Sequence, residues 1–137
     1  MLNVGQKFTQ KYVLNEATYR GFINTFNDLH ALHTIEEYAK ARGFNGRVMH
    51  GNILNGFLSN FVGMHLPLPE VIILSEEIRY KTPVYLNDNL TLEVVIAEIH
   101  ESVNVVELAC KFIEESNNKI VALAKLNVGV TSAVESA

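Results

Sequence analysis

Asp28, His30 and His33 fall within one short stretch of the chain. A carboxylate and an imidazole this close can hold one water molecule between them. The carboxylate takes a proton from it, the imidazole supplies or positions another, and each contribution is worth on the order of 10²–10⁴ in rate. The bland alternative is also simple: Asp28 caps a turn, and His33 merely precedes a helix cap at Thr34. With His50 the same residues raise a metal reading. Their spacing matches no standard zinc pattern and no thiolate accompanies them, so no metal is expected.

His50-Gly51 precedes the most apolar helical stretch, Asn52 to Met64. The first N–H groups of a helix lack internal partners, and the dipole adds partial positive charge there. A carbonyl oxygen gaining negative charge would be stabilised at that point. Gly51 either admits a substrate close to the backbone or only allows a tight turn into the helix. Ile53, Leu54, Phe57, Leu58, Phe61 and Val62 cover most of the helix circumference, which predicts burial. Asn52, Asn55 and Ser59 interrupt that surface within roughly 60° of one another. Such a polar stripe faces a wet pocket or bonds to neighbouring backbone, because an unpaired buried polar group costs about 1–3 kcal/mol.

The elements that must hold these residues differ along the chain. Up to about residue 65 the period is helical. A short strand over 7–13 is followed by a helix from Glu16 to Asn27, capped by Asn15, with Tyr19, Phe22, Ile23 and Phe26 on its apolar face. Residues 28–33 read as a loop. Thr34 and Glu37 form a capping-box pattern opening a second short helix that ends near Gly43. From about residue 70 the period is two. A strand over 71–80 precedes three alternating ones, built on Leu90, Leu92, Val94 and Ile96, then Val106, Leu108, Cys110 and Phe112, then Ile120, Ala122, Ala124, Leu126, Val128 and Val130. Asn117-Asn118 supplies the last hairpin turn. Segregated helices and strands indicate an α+β fold: an antiparallel sheet of about five strands wrapped around one long central helix.

The 137 residues suit a single domain over 1–137. Apolar residues make up 48% of them, enough for one core, and the net charge is −4. The basic residues are scattered apart from Arg79 and Lys81, a pair more simply read as solvated charge than as a phosphate contact. That argues against a nucleic-acid surface. Cys110 is the only cysteine and sits in a strand's apolar alternation, so it reads as a small buried hydrophobe. With neither a signal-like N-terminus nor an apolar run of membrane-spanning length, a soluble cytoplasmic protein is expected.

Phe26-Asn27-Asp28-Leu29-His30-Ala31-Leu32-His33, then Tyr38 to Phe44, then Arg47-Val48-Met49-His50-Gly51 resemble the MaoC-like, (R)-specific enoyl-CoA hydratases. The hallmark of that family is a Gly-Asp-x-Asn-Pro-x-His loop followed later by a His-Gly helix start. Val4-Gly5-Gln6 resembles its opening strand, and the stretch from Lys81-Thr82-Pro83 to Asp88 its strand connection. The resemblance implies a hot-dog fold with an extra helical overhang and a homodimer formed by pairing two sheets edge to edge. It implies addition of water to a trans-2-enoyl thioester of coenzyme A or acyl carrier protein, with no cofactor beyond the coenzyme A of the substrate. It makes Asp28 and His33 the catalytic pair, Gly51 N–H the thioester-oxygen donor and Ser59 a residue near the pair; His30, Asn55 and His50 are further candidates around the pocket from their positions in the loop, the polar stripe and the helix start. The chain departs from the pattern with Asn27 for Gly and His30-Ala31 for Asn-Pro, where His30 either supplies the missing hydrogen bond or marks a changed substrate. Two other functions fit the same fold: a thioesterase, which would use a carboxylate on the central helix, and a non-catalytic acyl-thioester-binding dimer.

Overall fold

A computed structural model describes residues 2–131. Its frame is one antiparallel sheet of five strands: β1 (Lys7–Val13), β2 (Val71–Tyr80), β3 (Asn89–His100), β4 (Val105–Glu114) and β5 (Lys119–Val130), in the spatial order β1-β3-β4-β5-β2. The strands fall where period-two patterning places them. One face of β3, carrying Leu90, Leu92, Val94 and Ile96, is fully buried, as is the matching face of β4 with Val106, Leu108 and Phe112.

That face closes over α4 (Asn52–Asn60), which continues into a π-helical turn over Phe61–His65. Ile53, Leu54, Leu58, Phe61 and Val62 form the buried side of this element. Burying this side against the sheet takes its apolar surface out of water, which is worth about 25 cal/mol per Å². The helix is not buried all round, however. Asn52, Gly56, Ser59 and Asn60 are exposed, so the even spread of apolar residues overstated how much of its circumference one chain covers.

The overhang consists of α1 (Glu16–Phe26), α2 (Ala31–Thr34) and α3 (Glu36–Ala41). Asn15 caps α1 by accepting from Thr18 N at 3.0 Å. Tyr19 and Ile23 are buried, whereas Phe26 is 66% exposed. Two expectations need correction here. The stretch read as a loop contains α2, and the Thr34–Glu37 capping box does not form. Thr34 ends α2 and donates its hydroxyl back to the Leu29 and His30 carbonyls, leaving Ile35 to start α3 without a side-chain cap. A third correction concerns β5. Its register with β4 shifts between Phe112 and Ile113, so Val121 is buried and Ile120 is turned outward.

Candidate active site

The site lies where the overhang meets the start of α4. Asn27 ends α1 in the left-handed region, with φ 57°. Asparagine tolerates that conformation, which explains how it stands in for glycine. The turn sends the chain into Asp28, whose Oδ1 accepts from His30 N at 3.2 Å. His30 Nδ1 in turn accepts from Leu32 N at 3.2 Å and caps α2. The ring thus bonds within its own loop, at the start of α2.

Placed by α2, His33 is aimed by a bond its neighbours dictate. Its Nδ1 lies 2.7 Å from Val48 O. A carbonyl only accepts, so Nδ1 carries a proton, and the tautomer this selects is the one whose lone pair lies on Nε2. That nitrogen lies 3.8 Å from Asp28 Oδ2. The gap is too long for a direct hydrogen bond and suits one oxygen atom touching both groups. The His33 side chain is 18% exposed and that of Asp28 49%, so solvent reaches the pair.

Two buried residues hold this arrangement. Tyr19 donates its hydroxyl to the His33 carbonyl at 2.6 Å. His50, with its side chain 2% exposed, donates Nε2–H to the Asp28 carbonyl at 2.9 Å and stacks on His33 with ring centroids 4.0 Å apart. Burial is the largest influence on His50 and pushes its pKa down, against the raising effect of its bond to the Asp28 carbonyl. Asp28, His33 and His50 bring ligand-type atoms within 4.8 Å of one another. His50 Nε2 is committed to the Asp28 carbonyl, and its Nδ1, which then carries the ring's lone pair, is buried without a protein partner.

Gly51 opens α4 with φ −59°, so no unusual backbone angle demands glycine. The demand comes from a neighbour: a Cβ here would lie 2.7 Å from Cε1 of Tyr80. Tyr80, the last residue of β2, therefore packs its ring over the Gly51 backbone. His33, Val48, Gly51, Leu54, Tyr80 and Pro83 line a cavity of about 370 Å³ on one side of the pair. Asp28 also lines a larger groove of about 850 Å³ between α1 and α4. Asn55 lies in that groove, donating to Asn52 Oδ1 at 2.9 Å, while its own Oδ1 is buried without a protein partner. Ser59 is exposed further along α4 and lines neither cavity.

The MaoC like domain model matches residues 2–117 of the chain. The protein belongs to the MaoC-like domain family. Among its MaoC-like relatives, the (R)-specific enoyl-CoA hydratase of Aeromonas caviae is 29% identical over 100 residues, 73% of this chain and 75% of that protein. The (R)-specific enoyl-CoA hydratase of Rhodospirillum rubrum is 29% identical over 92 residues, 67% of this chain, and the match spans 64% of that relative's length. Among solved structures, the R-hydratase PhaJ1 from Pseudomonas aeruginosa superimposes with a TM-score of 0.83 at 27% identity, covering 99% of this chain and 88% of that one. These MaoC-like neighbours share the hot-dog architecture described above. Tyr19, Tyr80 and the Asp28 carbonyl's dependence on His50 were not legible in the sequence. Tyr19 looked like a helix-face hydrophobe and Tyr80 like a strand end, and a hydroxyl-to-carbonyl bond across distant positions leaves no local pattern.

Proposed function

We propose that the protein is a hydratase/dehydratase of acyl thioesters, adding water to a trans-2-enoyl thioester to give the (R)-3-hydroxyacyl thioester, or running the reverse. One observation carries this reading: Asp28 Oδ2 and His33 Nε2 face each other at 3.8 Å, with His33 Nδ1 locked on Val48 O. The thioester oxygen lies against the N–H groups at the Gly51 end of α4, where partial positive charge supports the enolate-like oxygen formed during addition. Asp28 and His33 hold the water between them. The pair takes a proton from this water as its oxygen bonds to C3, and returns one proton to C2. The sum is H–OH across the double bond. Relatives named enoyl-CoA hydratases and 3-hydroxyacyl-[acyl-carrier-protein] dehydratases support the substrate class.

The hydrolase reading fares worse. The α4 sequence NILNGFLSN has no carboxylate to attack or to activate water at the carbonyl carbon. Cys110 offers no nucleophile either, as burial pushes its thiol up to about 12. In our reading the enzyme is a cytoplasmic homodimer. The support for pairing is the free edge of β2, where Ile72 and Leu74 are 59% and 56% exposed. The support for solubility is that, among the described residues, no helix is long and apolar enough to cross a membrane. Coenzyme A or acyl carrier protein enters only as the carrier of the substrate. Following the loss of conjugated enoyl-thioester absorbance alongside thiol release tests the assignment. Hydration without free thiol is expected, and thiol release would assign a hydrolase instead.

A further inference from the structure

Gly21 and Gly56 sit in the interiors of α1 and α4, and both line the groove of about 850 Å³ that Asp28 also borders. Glycine inside a helix is destabilising relative to alanine, so each position calls for a reason. Neither has the positive φ that would require it. Close helix packing does not require it either, since a Cβ built at each position meets nothing within 4 Å. What the missing side chains leave is width in the groove itself.

The groove has a direction. At one end Phe22 lies 4.6 Å from the His50 ring, beside the catalytic pair. At the other, Phe57 stacks on Tyr12 of β1 at 4.6 Å. Between Asn52 and Phe57 the α4 floor runs about 7.5 Å, the length of several methylenes. Gly51 and His33 border the other cavity, and Asp28 borders this groove. A substrate with its thioester oxygen at Gly51 and C3 at the Asp28–His33 pair therefore directs C4 and beyond into the groove. Phe26, 66% exposed on the groove wall, gives that tail an apolar surface.

We propose that Gly21 and Gly56 are the specificity-determining residues that keep this groove open for an acyl tail of medium length. This inference rests on the hydratase reading and deepens it. The test compares kcat/KM for trans-2-octenoyl-CoA with that for crotonyl-CoA in the wild type, Gly56→Leu and Gly21→Leu, with circular dichroism checking the fold. The octenoyl-to-crotonyl ratio is expected to fall at least tenfold in each leucine variant and to hold in Gly21→Ala and Gly56→Ala. A ratio unmoved by both leucine substitutions overturns the proposal while leaving the hydratase reading intact. If the wild type turns over neither substrate, the hydratase reading fails. Calorimetry with saturated octanoyl-CoA and butyryl-CoA then decides the groove alone: preferential octanoyl binding that the leucine variants abolish supports it, and equal binding of the two overturns it.

Discussion

The sheet and the segment from Asn27 to Gly51 are held by different physics. In the sheet, β3, β4 and β5 pair along most of their lengths and bury one continuous apolar face on α4. Many small terms share the load. The segment from Asn27 to Gly51 instead hangs on a few directed bonds. Tyr19 holds the His33 carbonyl, His33 holds Val48 O, His50 holds the Asp28 carbonyl, and Met49 N donates to Val84 O at 2.8 Å. Losing sheet contacts costs stability in proportion to area. Losing one directed bond moves an atom of the proposed catalytic pair, and a displacement of about 1 Å can cost on the order of 10² in rate.

Substitutions can break that contrast. Phe112→Ala empties a fully buried position and should cost about 3–5 kcal/mol in a urea titration, with the folded fraction keeping its kcat. His50→Leu removes the donor to the Asp28 carbonyl and should cost about 1–3 kcal/mol by the same measurement, with a larger proportional loss of turnover. It also carries a pH signature. Below the ordinary imidazole value of about 6.5, the unfolded chain takes up a proton that buried His50 refuses. Wild-type stability therefore falls as pH drops through and below that value, and thermal unfolding of His50→Leu should show a weaker fall.

Tyr19→Phe leaves the packing and deletes one hydroxyl. About 1 kcal/mol of stability should be lost, with kcat reduced far more than that figure implies; an unchanged kcat would show that the His33 carbonyl needs no such anchor. Ser59→Ala sits at the bottom of the scale, within about ±0.5 kcal/mol. Because Ser59 lines neither cavity of one chain, its kcat should hold as well, and a clear drop would bring this residue into the site through a second subunit.

Legibility in the sequence follows the same divide. Strand alternation reports burial on one face, so all five strands were visible, β1 and β2 to the residue. It failed only where a bulge slips the phase, as at Val121. In the helical half residue type and spacing singled out Asp28, His33 and Gly51 and the resemblance added their proposed roles, while the long-range bonds that hold them stayed hidden. Thr34 looked like a cap for the next helix, but its hydroxyl reaches back to the Leu29 and His30 carbonyls. Gly51 suggested a turn or a close ligand, whereas its neighbour is the Tyr80 ring, brought in by a distant strand. The polar stripe on α4 divides: Asn55 lies in the groove and Ser59 faces outward. Long-range directed contacts leave no periodic trace.

The central claim is that Asp28 and His33 act on one water as a unit. Measuring kcat for trans-2-enoyl-CoA hydration in Asp28→Asn, His33→Gln and the double variant tests it directly. Each single substitution should lower kcat by at least about 10², with folding unchanged, and the double should be little worse than either single because groups that work as a unit are not additive. Substantial turnover in either single variant, or losses that multiply in the double, would contradict the account.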